Sequence, residues 1–379
     1  MLGIPFNIPY STGQELTYIG QAIQAHKTAG DGPFTKLCQA WMEQRYGFKK
    51  CLLTTSCTDA LELAALLLNI QPGDEVIVPS YTFVSTVNAF ALRGAHLVFA
   101  DSTALNPNID PEAIKALITP RTKAIVVVHY AGMACDMEAI MQMANEHQLF
   151  VVEDAAQAID AYYQHKPLGS FGHLSAFSFH ETKNIQSGEG GMLVVNDARF
   201  SLQAEILREK GTNRAAFFRG EVDKYGWVAV GSSFLASDIT AAFLYAQLEQ
   251  LTVIQAKRCA LWQAYQDAFM PLAAKGLIKV PEALQGAKSN GHLYYLVCKD
   301  IHQRNALIAC LKEQGIQAVF HYLSLHSSAY FASQYKGAVL PYSDYYSDCL
   351  VRLPLYADLS SEQQTQIINC IIDFFKINQ

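Results

Sequence analysis

Five short, nearly unbroken apolar runs, set apart by helical stretches, constrain the fold of this chain more than any other feature. They are Cys51-Leu52-Leu53-Thr54, Glu75-Val76-Ile77-Val78-Pro79, His96-Leu97-Val98-Phe99-Ala100, Lys123-Ala124-Ile125-Val126-Val127-Val128 and Leu149-Phe150-Val151-Val152-Glu153. Runs so short and so continuously apolar suit strands covered on both faces, the condition of a parallel sheet. Between them, segments such as Met137 to Glu146 have the length of crossover helices. Gly32-Pro33 opens another amphipathic stretch, through Trp41 to Tyr46, which Gly47 ends; Ser56 to Leu68 reads as a helix stopped by Pro72-Gly73. The expectation is an α/β fold with a mostly parallel sheet from about Thr12 to Gln250.

After about Leu251 the pattern changes. A long helix near Ile254 to Ala268, a strand at Leu293-Tyr294-Tyr295-Leu296-Val297, a helix at Gln303 to Gln314 and an apolar strand Ala318-Val319-Phe320 predict a smaller α+β domain. The chain is accordingly divided into a large domain, residues 1–250 with the N-terminal segment, and a small C-terminal domain, residues 251–379, with the boundary between 245 and 260. No Pro/Gly/Ser-rich linker and no internal repeat marks the division.

Composition excludes several classes of function. With 51% hydrophobic and 16% charged residues in 379, the chain has globular rather than disordered composition. A formal charge of −6 and the absence of a Lys/Arg run argue against nucleic acid, so a polyanionic ligand needs a local cluster of cations. The start lacks a basic segment followed by an apolar one, and no apolar run is long enough to span a membrane; the expectation is a cytoplasmic protein. Nine scattered cysteines without a Cys-x-x-Cys pair argue against a disulfide framework and against a structural zinc site.

The chemistry concentrates in a few runs. Asp154 closes the strand Phe150-Val151-Val152-Glu153, and Lys183 follows in Ser178-Phe179-His180-Glu181-Thr182-Lys183-Asn184. Pyridoxal phosphate (PLP) needs such a pair: a lysine amine to hold its aldehyde covalently, and a carboxylate to keep its pyridine nitrogen protonated. Alone, Asp154 reads equally well as a helix cap. Thr54-Thr55-Ser56-Cys57-Thr58, between strand and helix, suits either an N-cap cluster or a phosphate held at the positive end of a helix, and Ser178 offers another hydroxyl. Tyr81 follows a strand and is placed either in the core or stacked on the cofactor ring. Gly188-Glu189-Gly190-Gly191 precedes a strand, the wrong order for a dinucleotide fingerprint, and is assigned to a tight turn beside Lys183. His165, His173 and His180 lack metal-ligand spacing, and no catalytic metal is expected; His180 is placed either at the pocket or in a structural role.

These runs, with Glu153-Asp154-Ala155-Ala156-Gln157 and His321-Tyr322 before Arg352-Leu353-Pro354-Leu355, resemble the DegT/DnrJ group of sugar aminotransferases, over nearly the whole chain. The resemblance implies fold type I and PLP as cofactor. It makes Lys183 the catalytic lysine and Asp154 the pyridine-nitrogen partner, and places Gln157 near the cofactor 3-hydroxyl and Tyr81 on the ring face. Ser56, Cys57 and Ser178 would hold the phosphate. Many relatives add an asparagine from the neighbouring subunit, in a Gly-Tyr-Asn-Tyr-Arg setting; here Ser233 stands at that place. Homodimers with active sites at the subunit interface are also implied.

Within the group, Arg208-Glu209-Lys210-Gly211-Thr212-Asn213-Arg214, Phe217-Phe218-Arg219-Gly220, Val222-Asp223-Lys224-Tyr225 and Gly231-Ser232-Ser233 resemble transaminases that form dTDP-4-amino-4,6-dideoxygalactose for enterobacterial common antigen and O-antigen-type glycans. That resemblance implies a dTDP-linked ketosugar and L-glutamate as substrates. Candidate contacts to the sugar nucleotide are Arg214, Arg219, Lys224, His180, His321 and Tyr322. Dehydratases of the same fold carry histidine where Lys183 stands, and a regulatory protein would leave the Lys/Asp/Gln set without a purpose.

Overall fold

The computed structural model describes residues 3–377. Along the chain its strands are β1 (Cys51–Thr54), β2 (Glu75–Pro79), β3 (His96–Ala100), β4 (Thr122–Val128), β5 (Phe150–Asp154), β6 (Tyr162–Tyr163), β7 (Lys166–Pro167), β8 (Leu174–Ser178) and β9 (Gly191–Val195). Seven of them form one sheet in the order β1-β9-β8-β5-β4-β2-β3. β9 alone runs against its neighbours β1 and β8; the remaining pairs are parallel.

Each strand feeds two cores at once, because successive side chains leave opposite faces. Ile125 and Val127 of β4, Val151 of β5 and Phe177 of β8 enter one apolar cluster, with the helices Pro33–Tyr46 and Asp238–Glu249. Ala124 and Val126, Val152 and Ala176 enter the other, beneath the helices Cys57–Leu67 and Val84–Ala91. The helix starts follow local chemistry. Ser56 Oγ accepts from the Asp59 N–H and Asp136 Oδ1 from the Ala139 N–H. Pro33 sits at the first turn of its helix, and Gly47 ends that helix in the left-handed region at φ 70°.

β10 (Ala287–Lys288) joins β6 and β7 in a small antiparallel sheet, and the strands β11 (Tyr294–Val297), β12 (Val319–Phe320) and β13 (Leu350–Leu353) make a third, also antiparallel, in the order β11-β13-β12. The helices Ile301–Glu313 and Ser361–Ile377 pack on it around Leu296, Val351, Leu353, Leu307 and Ile371. Ile4 joins this third core and pairs through its backbone with Gly315 and Gln317. The division of the chain at residue 250 is retained as a proposal.

Two elements differ from expectation. The long helix runs Leu251–Ala274, continuing past 268 and through Pro271. It is preceded by a helix, Asp238–Glu249, that sequence pattern alone did not single out. Asp238 explains why that helix sits where it does. Its buried carboxylate accepts from the Phe34 and Thr35 N–H groups at 3.2 and 2.8 Å and from the Thr35 hydroxyl at 2.8 Å, capping a helix two hundred residues away. Replacing Asp238 by Ala is expected to destabilise the protein by ~2–3 kcal/mol, since buried donors lose their acceptor. The measurement is the urea midpoint by circular dichroism, and an unchanged midpoint would refute the capping role.

Candidate active site

Parallel registry brings three strand ends to one edge of the large sheet. Val128 lies opposite Asp154, and Asp154 opposite Ala176, two residues before Ser178. All three ends, Val128, Asp154 and Ser178, line a cavity of about 640 Å³ that also receives Lys183. This is the carboxyl edge at which ligands collect in open α/β sheets.

Asp154 is 5% exposed. The Thr86 hydroxyl donates to its Oδ2 at 2.7 Å and the Ala156 N–H to its Oδ1 at 3.1 Å, which fixes the carboxylate plane. Burial holds its pKa above the usual carboxylate value, against the pull of those two hydrogen bonds and of Lys183. Lys183 sits in the loop after β8, its N–H donating to the His180 carbonyl at 2.9 Å. Burial pushes its amine pKa below the ordinary lysine value, Cys57 and Asp154 oppose the shift, and Arg352 adds to it. A lysine so placed holds its amine neutral, and therefore nucleophilic, at lower pH than a free one.

The end of the cavity beside the helix Cys57–Leu67 is built by close approach of backbones. A Cβ on Gly191, at the start of β9, would lie 2.2 Å from the Ser56 carbonyl carbon and 2.3 Å from the Cys57 nitrogen. Only glycine lets β9 pass this close to the helix start. Ser56, Cys57, Thr58 and Ser178 line the cavity there, with the first N–H groups of the helix Cys57–Leu67 beyond the reach of intrahelical acceptors.

Gln157 is gripped at both ends of its amide, its Oε1 accepting from the Ala131 N–H at 2.6 Å and its Nε2 donating to the Tyr322 hydroxyl at 3.1 Å. Tyr322 itself holds a left-handed backbone at φ 52°, a strained conformation for a bulky residue. His321 lines the same wall, shares a 2.7 Å hydrogen bond with the Tyr130 hydroxyl, and is driven toward its neutral form by burial and by Arg352.

This chain matches the DegT/DnrJ/EryC1/StrS aminotransferase family over residues 9–372. It belongs to that family. A curated relative, the spore coat polysaccharide biosynthesis protein SpsC of Bacillus subtilis, is 34% identical over 98% of this chain and 97% of its own. Among solved structures, the putative sugar aminotransferase Spr1654 of Streptococcus pneumoniae in its PMP form superposes with a TM-score of 0.90 at 26% identity, covering 99% of both chains. Helicobacter pylori PseC, an aminotransferase of pseudoaminic acid biosynthesis, gives 0.90 at 25%, covering 99% of this chain and 100% of that one. The fold is type I, and PLP is the cofactor; the PLP form of Spr1654 superposes as well, at 0.89.

The cavity fits that cofactor. The glycine-dependent cradle at Ser56–Thr58 suits a phosphate, the Asp154 carboxylate suits a protonated ring nitrogen, and the Lys183 amine suits an aldehyde. Among the described residues no group of His, Cys, Asp and Glu is arranged to hold a metal.

Of the residues singled out in the sequence, Ser56, Cys57, Asp154, Gln157, Ser178, His180, Lys183, His321 and Tyr322 share the cavity. Tyr81 requires a correction. It is 1% exposed behind the cavity wall, edge-on to Tyr130 and Tyr322, with its hydroxyl donating to the His321 carbonyl. Phe83, at the start of the next helix and 54% exposed, lines the cavity where Tyr81 does not. Arg214, Arg219, Lys224 and Ser233 lie outside this chain's cavity. Arg214 is paired with Glu209 at 2.9 Å, and Arg219 with Glu205 and Glu221 at 2.9 and 2.6 Å, so neither is a free cation waiting for phosphate. Lys224 and Ser233 are exposed.

Sequence reasoning missed His292 and the place of Arg352, both on the cavity wall. Asn184 gives its amide hydrogens to Gln255 and the Asn290 carbonyl, so its Oδ1 must accept from His292 Nδ1–H at 2.8 Å. His292 therefore presents an unprotonated Nε2, in line with burial driving it well toward the neutral form.

Two outcomes follow from this geometry. The rate at which apo-protein captures PLP covalently should rise with pH to a plateau whose midpoint lies below the ordinary 10.5, followed by absorbance; a midpoint at or above 10.5 contradicts the buried amine. Gly191→Ala should weaken cofactor retention by about 10-fold, and equal retention in equilibrium dialysis would mean that the helix start is not the phosphate cradle.

Proposed function

We propose that the protein transfers the amino group of L-glutamate to C4 of dTDP-4-dehydro-6-deoxy-D-glucose, giving dTDP-4-amino-4,6-dideoxy-D-galactose and 2-oxoglutarate, in the cytoplasm. The observation that carries an amino transfer is Lys183 and Asp154 facing one cavity in a family of aminotransferases. A sugar acceptor is supported by SpsC, whose name places it in polysaccharide biosynthesis, and by the sugar aminotransferase Spr1654. The choice of a dTDP-linked 4-ketosugar rests on the runs between Arg208 and Ser233.

When bound, PLP supplies an aldehyde that accepts the amino group and a ring that withdraws electrons from the neighbouring carbon. The residues of the chain do the rest. In the donor half-reaction Lys183 Nζ would take the proton from the donor Cα and release it to the aldehyde carbon of the cofactor, and in the acceptor half-reaction it would carry a proton from that carbon to sugar C4. One amine serves both because its protonation state alternates. Asp154 would keep a positive charge on the ring nitrogen, Gln157 would lie on the 3-hydroxyl side, and Phe83 would cover the ring.

A homodimer completes this proposal. Phe218, Trp227 and Val230 are 70, 78 and 69% exposed on the segment that ends at Ser233. A second copy is the proposed cover for that apolar surface, and it would bring Lys224 and Ser233 to the neighbouring cavity. The alternative acceptor is another nucleotide-linked ketosugar, such as a 3-keto or GDP-linked one, or the same substrate aminated to the gluco epimer.

Incubating the purified protein with dTDP-4-dehydro-6-deoxyglucose and glutamate should yield the galacto-configured 4-amino sugar by NMR. A gluco product, or turnover only of a different ketosugar, would refute the specific assignment. Lys183→Ala should lower turnover by on the order of 10³-fold or more with circular dichroism unchanged, and substantial residual activity would remove Lys183 from the mechanism.

A further inference from the structure

We infer that Thr86, backed by Thr82, is a positioning residue for Asp154: in series, the two hydroxyls hold its carboxylate in the ionised form that a protonated cofactor ring requires. The inference rests on the assignment of Asp154 to the ring nitrogen and is independent of which sugar accepts the amino group.

Thr86 lies in the first turn of the helix Val84–Ala91 and is fully buried. A helical threonine ordinarily returns its hydroxyl hydrogen to a backbone carbonyl of the preceding turn. Thr86 instead gives it to Asp154 Oδ2, 68 residues away in sequence, at 2.7 Å. A hydroxyl has one hydrogen to give, so in the 2.8 Å contact between Thr86 Oγ1 and Thr82 Oγ1 the donor must be Thr82. The order is therefore fixed: Thr82 donates to Thr86, and Thr86 to the carboxylate. Each donation polarises the next hydroxyl, which strengthens the bond that reaches Asp154. Thr82 is itself 2% exposed and lines the cavity.

Among the described residues, Thr86 is the one side chain hydrogen-bonded to this carboxylate, and the other bond comes from the Ala156 backbone at 3.1 Å. The titratable groups that face Asp154 act through space. Lys183 comes from the loop after β8, Cys57 from the start of the helix Cys57–Leu67, and Tyr322 from the segment after β12. Burial pushes the Cys57 thiol and the Tyr322 phenol up, so both stay neutral. His129 adds to the field but turns its ring to Glu153 at 2.9 Å; its hydrogen bond to Asp154 runs from the His129 N–H to the Asp154 carbonyl, at 3.3 Å.

Burial favours the neutral acid over the carboxylate. A neutral Asp154 has no charge with which to hold a proton on a ring nitrogen, and electron withdrawal by the ring weakens with it. The two hydroxyls offset burial at a place no substrate reaches, since Thr86 is 0% exposed.

The test uses enzyme loaded with PLP isotopically labelled at the ring nitrogen, whose NMR resonance separates the protonated from the unprotonated ring and is followed against pH. Thr86→Val keeps the shape and removes the hydrogen bond. The pH at which the ring nitrogen loses its proton should fall by about one unit, a loss of about 10-fold in proton affinity. Thr82→Val leaves the bond to Asp154 and removes the one behind it, so its shift should be smaller, and Thr86→Ser should match the wild type. The donor half-reaction is followed without sugar, as loss of the bound cofactor's absorbance on adding L-glutamate. In Thr86→Val its rate should fall off on the alkaline side about one pH unit earlier than in the wild type.

Should Thr86→Val fail to fold or to hold cofactor, Thr82→Val decides. A ring nitrogen that keeps its proton over the same pH range in the folded valine variants as in the wild type overturns the inference. So does an equal shift in Thr86→Ser and Thr86→Val, because the serine keeps the hydroxyl. Asp154→Asn tests the assignment beneath: a ring nitrogen still protonated there refutes the role of Asp154 itself, whereas a proton lost in Asp154→Asn and kept in Thr86→Val refutes only the relay.

Discussion

A chain of buried amides holds the lysine loop to everything the chemistry needs. Asn184, next to Lys183, donates to Gln255 and to the Asn290 carbonyl and accepts from His292. Asn290 in turn donates to the carbonyls of Gln157 and Ile159, each at 2.8 Å, and accepts from the His292 N–H. Gln157 then reaches Ala131 and Tyr322. Five stretches outside the lysine loop, at Ala131, Gln157–Ile159, Gln255, Asn290–His292 and Tyr322, are thus fixed around one amine. Gly132 shows how little slack there is, for a Cβ there would lie 1.9 Å from Asn290 Oδ1. Such a network is worth keeping only when its amides are satisfied, and those of Asn184, Asn290 and Gln157 are.

Satisfied amides also permit charges that are not. With Asn184 and Asn290 occupied among themselves, Lys183 is left without a permanent partner, and its proton affinity is set by burial, Asp154, Cys57 and Arg352. That is the state a proton carrier needs: a fixed ion pair would hold the amine charged, whereas a dry wall lets it exchange. Glu153, one residue from Asp154, shows the opposite solution. Its carboxylate is saturated by His129 and by the N–H groups of Gly169, Phe171 and Gly172, and it anchors a loop rather than reacting.

The strands and the Lys183/Asp154 pair were legible in the sequence because each carries its cause locally. An apolar run such as Ala124 to Val128 in β4 has to be covered on both faces, and a carboxylate after such a run has to sit at the sheet edge. Tyr81 and Phe83 were not separable that way, since both follow β2 and only the packing of Tyr130, Tyr322 and His321 decides which ring is behind the wall. The helix Asp238–Glu249 escaped notice because it is apolar nearly all round, a consequence of burial between helices Glu15–Gln24 and Pro33–Tyr46. Arg214 and Arg219 drew attention as cations, but their carboxylate partners lie in the same local segment, and sequence spacing does not say which charges are already paired. Arg352 did leave a signal, a lone charge inside an apolar strand, whose meaning depends on the face it takes.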